Sequence, residues 1–296
     1  MNTRIYCLDD HNEALAQAVS TRMTGACIEV VSRTFPDGES YLRITEDAKG
    51  IDAIVVCSLD NPNEKVLQLL FLVDALKDMG AKSIGLVAPY LAYMRQDIRF
   101  NPGEAISSKT FAALISQHFD WMVTVDPHLH RYNSLDEIYS IPNRVVSSAK
   151  AIACWIKDQV EKPLLVGPDS ESAQWLSEIS DLSGIPYLCL EKIRSGDRDV
   201  AVSGDDFSQW HGFEPILVDD IISSGHTMLE TITYLKNAGF SAPVCIGIHA
   251  LFNDATYLEL QRAGARVITC NTVFHHSNSI DVNEGIVTAI KEITRP

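Results

Sequence analysis

Two neighbouring carboxylates followed by a run of small polar residues form the chain's best candidate for a chemical site. Asp219 and Asp220 end an apolar stretch. The run after them stands at the expected start of a helix and consists of Ser223, Ser224, Gly225, His226 and Thr227. Backbone N–H groups at a helix start, together with hydroxyl groups, can bind a phosphate monoester. The carboxylates can accept hydrogen bonds from sugar hydroxyl groups or reach a metal ion through water, unless they merely cap the helix.

Cationic and amide side chains near two other predicted strands could bind further phosphate groups. Arg95 and Gln96 follow an apolar strand, and a guanidinium group suits both phosphate binding and stacking on a base. Lys192 and Arg194 alternate along an extended stretch, so their side chains should face the same way. Transfer of a phosphoryl-type group needs cations where negative charge grows. The alternatives are a surface ion pair for Arg95 and a solvent-exposed hairpin for the second pair.

A histidine and an aspartate stand just beyond apolar strands and are candidates for a metal site. His128 follows one predicted strand, with His130 close behind it, and Asp169 follows another strand. Open α/β sheets collect their ligands beyond the carboxyl ends of their strands. Because Mg²⁺ prefers oxygen ligands, contact between His128 and a metal-bound water is as plausible as direct ligation. A hydrogen-bonded structural histidine and a helix-capping aspartate are the alternatives.

The elements that must position these residues are short β-branched runs alternating with amphipathic segments. Strands are predicted at residues 4–8, 27–32, 53–58, 83–89, 122–126, 164–167, 187–190, 215–219, 244–250 and 266–271. Helical spacing between them is clear over residues 64–79. Near-continuous apolar strands separated by helices predict parallel sheets covered on both faces. The same order of elements recurs in both halves, so we predict two similar α/β domains in tandem, divided near Pro142.

The composition favours a two-domain protein of the cytoplasm that binds neither nucleic acid nor membranes. The chain has 296 residues, of which 46% are apolar, enough for two buried cores. Its net charge of −15 argues against a nucleic-acid surface, although local cations and a metal can still bind small anions. The seven cysteines contain no C-x-x-C pair, and we expect them to be reduced and structural. Neither a signal peptide nor a membrane-spanning segment is predicted.

The segment from Pro215 to Thr227 resembles the phosphoribosyl-diphosphate-binding loop that two enzyme families share. These families are the type I phosphoribosyltransferases and the ribose-phosphate pyrophosphokinases. The resemblance implies that Asp219, Asp220 and residues 223–227 bind ribose 5-phosphate. His226 departs from the pattern, because the loop usually has glycine at this position. The loop alone does not separate the two families.

Further segments resemble the ribose-phosphate pyrophosphokinases in order and approximate spacing. The implied ATP-binding residues are Phe35, Asp37, Gly38, Glu39, Arg95, Gln96 and Asp97. On sequence alone the Asp-Gly pair is also typical of an ordinary turn. The implied magnesium-associated residues are His128 and Asp169. Lys192 and Arg194 resemble the catalytic K-x-R loop of the family, which would close over the polyphosphate, and Arg194 would also lie near ribose 5-phosphate. The glycines at 196 and 204 suggest that this loop is a mobile flap.

The resemblance covers nearly the whole chain and is closest to the archaeal-type branch of the pyrophosphokinases. It implies two tandem type I phosphoribosyltransferase-like domains, residues 1–143 with the nucleotide site and residues 144–296 with the ribose 5-phosphate site. It also implies a Mg²⁺-dependent transfer of the β,γ-diphosphoryl group of ATP to the anomeric hydroxyl of ribose 5-phosphate. The products would be phosphoribosyl diphosphate and AMP. A nucleotide site at a subunit contact would make the protein a homodimer or a larger homo-oligomer.

Two other functions stay open at this level. A phosphoribosyltransferase would share the phosphate loop, but it would have no use for the segments around Asp37, Arg95 and Lys192. A non-catalytic paralogue could bind nucleotides and regulate a partner. Two departures from the family pattern are consistent with such a paralogue. His226 and Glu171 each stand where the family usually has glycine.

Overall fold

The computed structural model describes residues 2–8, 10–168, 172–190, 193–195, 199–201 and 207–295. Side chains are described for all of these residues except 193–195, 199–201, 207 and 208. The chain divides into two units. The first unit consists of residues 1–147 and 283–296, and the second unit consists of residues 148–282.

The first unit is built on a six-stranded sheet in which all neighbouring strands run parallel. In chain order its strands are β1 (Thr3–Cys7), β2 (Ala26–Ile28), β5 (Asp52–Val56), β6 (Ser83–Ala88), β7 (Trp121–Val125) and β8 (Asn143–Val146). Across the sheet the order is β2-β1-β5-β6-β7-β8. The inner strands β5, β6 and β7 are buried along almost their whole length, which explains their continuous apolar sequence.

Helices cover this sheet, and one of them comes from the far end of the sequence. The helices are α1 (Glu13–Met23), α2 (Pro62–Asp78), α3 (Ser107–His118) and α8 (Asn283–Ile293). Helix α8 packs on β7, β8 and α1, with Ile286 and Ile290 buried on its apolar side. Helix α2 contacts α3 and a separate antiparallel hairpin made of β3 (Val30–Thr34) and β4 (Ser40–Ile44).

The second unit has a six-stranded parallel sheet of its own. Its strands are β9 (Pro163–Gly167), β10 (Tyr187–Cys189), β13 (Glu214–Ile222), β14 (Val244–Ala250), β15 (Arg266–Cys270) and β16 (Asn278–Ile280). Its helices are α4 (Ala149–Gln159), α5 (Ala173–Ser183), α6 (His226–Asn237) and α7 (Asp254–Arg262). A two-stranded antiparallel hairpin joins β11 (Ile193–Ser195) to β12 (Asp199–Ala201).

The two units repeat one topology. The second sheet has the order β10-β9-β13-β14-β15-β16. Numbered within its own unit, with the hairpin strands left out, each sheet therefore has the order 2-1-3-4-5-6. In each unit the hairpin is inserted between the second and third strands of the sheet. The predicted fold class, two tandem α/β domains with mostly parallel sheets, is confirmed.

Two predicted strands differ clearly from those in the structure, and β4, β8 and β16 were not predicted. The apolar run predicted as one strand at residues 27–32 is divided between β2 and β3, because the chain leaves the parallel sheet after Ile28 and pairs with β4 from Val30 onward. The strand predicted to end at Asp219 continues to Ile222, because its ladder with β14 extends to Ala250. Periodicity cannot show either feature, since it depends on the partner strand.

The end of the chain joins the first unit. The last helix, α8, belongs to this unit together with residues 1–147, whereas the sequence predicts a simple division after residue 143. The apolar pattern of a helix predicts that one side is buried but does not identify the sheet that buries it.

No helix within the described residues is both long enough and apolar enough to cross a membrane.

The cysteines differ in burial, and Cys27 and Cys154 are exposed. Cys57 and Cys245 are fully buried, while Cys7 and Cys189 are half-buried. Burial raises the pKa of the Cys245 thiol to about 12. A thiol with such a pKa is almost entirely protonated at neutral pH and therefore unreactive.

Candidate active site

The segment from Phe35 to Glu39 forms the exposed turn of the β3–β4 hairpin in the first unit. The Phe35 N–H donates to the Glu39 carbonyl at 2.7 Å, and the Gly38 N–H donates to the Phe35 carbonyl at 2.9 Å. Gly38 has a φ of 93°, which favours glycine. The Asp37 carboxylate accepts a hydrogen bond from the Glu39 N–H at 3.2 Å. The segment is thus a well-formed turn with exposed side chains, and its contact with ATP stays a prediction.

The loop after β6 exposes Arg95 and holds the next two side chains against the protein. Arg95 is exposed to solvent. The Gln96 side-chain oxygen accepts a hydrogen bond from the Ser107 hydroxyl at 3.2 Å, next to the start of α3. Asp97 is buried, with 5% of its surface exposed. Of the three residues predicted to bind ATP in this loop, Arg95 is the one that presents its charge to solvent.

An ion pair fixes Asp97 to the loop that follows β7. The Asp97 carboxylate accepts a hydrogen bond from Arg131 Nη1 at 2.7 Å, and its side chain is only 3% exposed. The Tyr132 hydroxyl donates to the Asp97 carbonyl at 3.2 Å. Strands β6 and β7 are neighbours in the sheet, so the loops that follow them lie at the same edge. The pair therefore ties together the loops that carry Arg95 and His128.

His128 lies at this edge of the first sheet, three residues beyond the end of β7. It is half-buried, and its ring is 3.9 Å from the ring of His130 in an edge-to-face arrangement. Asp126, at the start of the same loop, has a φ of 34°. A non-glycine residue with positive φ is uncommon and marks a sharp turn of the chain at the strand end. The loop thus places an imidazole where open α/β sheets bind ligands.

In the second unit the two acidic residues lie inside β13. Asp219 pairs with Gly247 of β14, and the ladder continues for three further residues. Asp219 is half-buried, whereas Asp220 has 4% of its surface exposed. Asp220 Oδ1 also accepts a hydrogen bond from the Ile221 N–H at 2.8 Å. Consecutive residues of a strand point to opposite faces, so Asp219 is the more accessible of the two carboxylates.

A short loop connects β13 to helix α6. Gly225 caps the helix with a φ of 75°, and α6 begins at His226, in agreement with the predicted start near Thr227. A Cβ atom on Gly225 would lie 2.7 Å from Thr256 Cγ2 on α7, closer than a real contact. Ser224 and His226 are exposed, and Ser223 and Thr227 are half-buried. The first N–H groups of α6 have no intrahelical acceptors, so the loop can surround an anion.

In the first unit, a lysine side chain occupies the loop that is topologically equivalent to the loop after β13. Residues 58–61 follow β5, the third strand of that sheet, and lead into α2. Lys65 Nζ donates to the Ser58 carbonyl at 3.0 Å and to the Asp60 carboxylate at 2.7 Å. The Ser58 N–H donates to the Asn12 side chain at 3.0 Å. A lysine thus occupies the inner side of this loop, which distinguishes it from the loop after β13.

The remaining predicted site residues are described only in part. Asp169 and Lys192 lie outside the described residues, as do residues 171, 196 and 204. Arg194 pairs with Val200 in the β11–β12 hairpin, but its side chain is not described. An antiparallel hairpin is the alternative that the sequence left open for this segment. The catalytic role of Lys192 and Arg194 stays a prediction.

The structure brings the predicted residues together in groups within each unit. In the first unit the loops of Arg95 and His128 share one sheet edge, and in the second unit the acids lead directly into the phosphate loop. Arg131 and Lys65 are the residues that sequence reasoning missed. Arg131 stands only three residues after His128, but nothing in the sequence indicates that its partner lies in another loop.

Comparisons with known proteins match both units. Residues 4–118 match the family described as the N-terminal domain of ribose phosphate pyrophosphokinase, and residues 134–284 match the phosphoribosyl transferase domain. The ribose-phosphate pyrophosphokinase of Sulfolobus acidocaldarius is 34% identical, over 93% of this chain and 96% of the relative. That of Methanothermobacter thermautotrophicus is 32% identical, over 95% of this chain and 98% of the relative.

A solved structure resembles the chain over nearly its whole length. The phosphoribosylpyrophosphate synthetase of Mycobacterium smegmatis superposes with a TM-score of 0.85 and 27% sequence identity, covering 99% of both chains. The N-terminal family match distinguishes the chain from a phosphoribosyltransferase, for which the sequence predicts one catalytic domain. This chain belongs to the ribose-phosphate pyrophosphokinase family.

Proposed function

We propose that this protein is a ribose-phosphate diphosphokinase that transfers the β,γ-diphosphoryl group of ATP to the anomeric hydroxyl of ribose 5-phosphate. The products are phosphoribosyl diphosphate and AMP. The observation that carries the proposal is the contrast between two equivalent loops. The loop after β13 has glycine and hydroxyl residues, whereas the loop after β5 is filled by Lys65. The second unit therefore supplies the sugar-phosphate site.

Ribose 5-phosphate binds with its phosphate at residues 223–227. The N–H groups at the start of α6 and the hydroxyls of Ser223, Ser224 and Thr227 donate to the phosphate oxygens. Asp219, the more exposed carboxylate, accepts hydrogen bonds from the ribose hydroxyl groups. Asp220 is buried within β13 and fixes the position of the strand end below the sugar.

ATP binds to the first unit. Arg95, the exposed cation of the loop after β6, contacts the phosphates or stacks on the base. Gln96 is held near α3 and can contribute its amide group, while Asp97 acts by anchoring the loop to Arg131. The hairpin turn with Phe35, Asp37, Gly38 and Glu39 contacts the adenine end, across a subunit contact.

Mg²⁺ binds at His128 together with Asp169, of which the structure describes His128. A half-buried imidazole at the open edge of the sheet fits contact through a metal-bound water, because Mg²⁺ keeps several waters and prefers oxygen ligands. A Mg²⁺ ion held there would supply positive charge to the phosphate oxygens.

The anomeric oxygen forms a bond to the β-phosphorus, and the bond from that phosphorus to the α,β-bridging oxygen breaks. AMP leaves with the bridging oxygen, and the sugar hydroxyl loses its proton. Lys192 and Arg194 stabilise the negative charge that grows on the transferred group. Catalysis of this kind depends on positioning and electrostatics rather than on a covalent intermediate.

The comparisons do not favour the two alternative functions. A homo-oligomer, at least a dimer, is part of the proposal because the hairpin turn would serve a neighbouring subunit. A cytoplasmic location is proposed with it.

The test is formation of AMP that depends on ribose 5-phosphate, with ATP and Mg²⁺. Lys192→Ala should lower kcat by about a hundredfold or more, because a cation at the transition state is lost. Lys150→Ala, at an exposed lysine of α4, is the matched control and should keep full activity. Absence of AMP formation by the unmodified protein would contradict the proposed reaction. Equal kcat in the two variants would contradict the role of Lys192 alone.

A further inference from the structure

Three metal-binding side chains meet in the second unit, on residues that the proposed reaction does not use. Asp254 is the first residue of α7, and His275 and His276 lie in the loop between β15 and β16. One ligand atom from each of the three lies within 4.8 Å of the other two. Among the described residues, this is the group of three acidic, histidine or cysteine side chains arranged so that they could hold an ion.

The distances suit a small divalent ion. Asp254 Oδ1 is 3.7 Å from His275 Nε2 and 3.7 Å from His276 Nδ1. A tetrahedral ion with bonds of about 2.0–2.2 Å holds its ligand atoms about 3.4 Å apart. The two distances from Asp254 exceed this value by only a few tenths of an ångström, and the ligand atoms of the two histidines lie within 4.8 Å of each other.

His275 shows independently that a ligand is missing. Its side chain is only 10% exposed, yet its Nε2 atom is buried and makes no hydrogen bond. Buried polar atoms in proteins nearly always have a partner, because an unsatisfied one costs the free energy of its desolvation. This same atom points toward Asp254 and His276. A bound cation would satisfy it.

The surroundings hold the two imidazole rings in place. The His275 and His276 rings lie 4.0 Å apart at an angle of 34°, and the Tyr257 ring lies 4.3 Å from that of His276. Phe252 packs edge-to-face against His275 at 4.7 Å. On the far side of His275, Nδ1 lies 2.7 Å from the Ser277 hydroxyl. Rings fixed by packing and by an outer hydrogen bond are typical of metal-ligating histidines.

We propose that Asp254, His275 and His276 form a binding site for a divalent transition-metal ion of the Zn²⁺ or Co²⁺ class. Two imidazoles and one carboxylate suit such ions, whereas Mg²⁺ and Ca²⁺ prefer all-oxygen sites. Asp254 is 83% and His276 54% exposed, so an ion can enter from solvent, and water can complete the coordination. None of these three residues belongs to the Mg²⁺ contact proposed at His128.

Binding has a definite effect on the protonation of His275. Burial, together with the neighbouring His276, lowers the pKa of His275, while Asp254 opposes this shift. With an ion at Nε2, the ring proton stands on Nδ1, where the Ser277 hydroxyl accepts it. The Ser277 N–H donates to Nδ1 at 3.1 Å, so ligation through Nε2 would require this contact to be given up.

The ion would join the β15–β16 loop to the first turn of α7. That turn also contains Thr256, whose methyl group packs against Gly225 of the phosphate loop. Binding to the folded state alone raises the unfolding temperature by mass action. We therefore expect the ion to stabilise the second unit.

The test is a titration of the full-length protein with Co²⁺, followed by visible ligand-field absorption, in excess Mg²⁺. We expect one equivalent to bind with nitrogen and oxygen ligands. In the His275→Ala/His276→Ala variant the affinity should fall at least tenfold. His211→Ala, at an exposed histidine of the same unit, is the matched control and should bind as the unmodified protein does.

Asp254→Asn supplies a second variant that keeps shape and changes only an exposed side chain. It should also weaken Co²⁺ binding, with an unchanged far-ultraviolet circular dichroism spectrum, so the test holds even if the double variant fails to fold. Equal Co²⁺ affinity in the unmodified protein and in either variant would overturn the proposal. So would a thiolate-to-cobalt charge-transfer band, which would assign the ion to cysteines. Because the readout is absorption and not AMP formation, it is independent of the proposed reaction.

Discussion

Arg131 is important because it forms an ion pair with a buried carboxylate, that of Asp97. Its side chain is 47% exposed, but the side chain of its partner, Asp97, is 3% exposed. Loss of a partner leaves a buried acceptor without its hydrogen bond, and the desolvation of that acceptor is then uncompensated. The same pair connects the loop that carries the proposed ATP contacts at residues 95–97 with the loop of the proposed Mg²⁺ contact at His128. Arg131 should therefore affect both stability and nucleotide binding.

We predict that Arg131→Gln lowers the free energy of unfolding by about 1–3 kcal/mol, because Asp97 loses a charged hydrogen bond. The KM for ATP should rise, because the loop with Arg95 is no longer anchored. Urea denaturation and steady-state kinetics measure the two effects. Arg22→Gln, at an exposed arginine of α1, is the control and should change neither. If Arg131→Gln behaved like this control, the ion pair would have no structural role.

The residue types at the candidate site could be predicted from sequence, but their partners could not. The acids, hydroxyls and glycine of residues 219–227 are adjacent in the chain, so their proximity is independent of the fold. Asp97 and Arg131 are 34 residues apart, and only the neighbouring positions of β6 and β7 bring them together. The same holds for Asp254 and His275, which the order of strands places side by side.

At the scale of elements, the connection from β13 to α6 determines the shape of the phosphate loop. Gly225 is the point of closest approach, since its φ is positive and its Cα faces the Thr256 methyl group. Both the backbone conformation and the space exclude a larger residue. The loss of stability on substitution by alanine therefore has two causes, which are backbone strain and a steric clash with Thr256.

We predict that Gly225→Ala destabilises the protein by about 1–2 kcal/mol through backbone strain alone, and by more through the collision. The KM for ribose 5-phosphate should rise, because the loop must move. Gly239→Ala is the matched control: its φ is 87°, but its nearest neighbour, His211 Nε2, is 3.9 Å from the added atom. Gly239→Ala should show the strain effect only, with an unchanged KM.

Thr256→Ser removes the methyl group that the new Cβ would strike. Combined with Gly225→Ala, it should recover part of the lost stability, as a double-mutant cycle measures. Complete additivity of the two substitutions would show that the collision does not occur.

Element types followed from the sequence more readily than element ends. Most parallel strands and the helix at residues 64–79 were predicted, because continuous apolar runs and helical spacing reflect burial directly. The short edge strands β8 and β16 were not predicted. The extension of β13 to Ile222 and the division between β2 and β3 depend on pairing with strands elsewhere. His226 became the first residue of α6 because the αL conformation of Gly225 starts the helix immediately after it.

At the scale of the whole molecule, α8 belongs to the first unit although it follows the second unit in the sequence. Ile290 is fully buried and Ile286 is 1% exposed, on a helix that packs against β7 and β8. Substitution of a buried isoleucine by alanine costs about 2–5 kcal/mol. Because the two units have separate cores, the cost should be confined to one of them.

We predict that Ile290→Ala increases amide hydrogen exchange in the first unit, for example in β7, and leaves β14 protected. Ile232→Ala, at a fully buried isoleucine of α6, is the reciprocal control and should increase exchange in the second unit instead. Mass spectrometry of peptic peptides measures both. Equal acceleration in both units by either variant would show that they unfold as one.

The late position of α8 has a consequence for biosynthesis. A ribosome makes all of the second unit before it makes the helix that covers β7 and β8. At typical rates of translation this delay is on the order of ten seconds. During that time the apolar face of β7 and β8 in the first unit is not covered by α8, while the second unit can already fold. The emerging chain should therefore bind chaperones through its earlier half, and release from them should follow synthesis of residues 283–293.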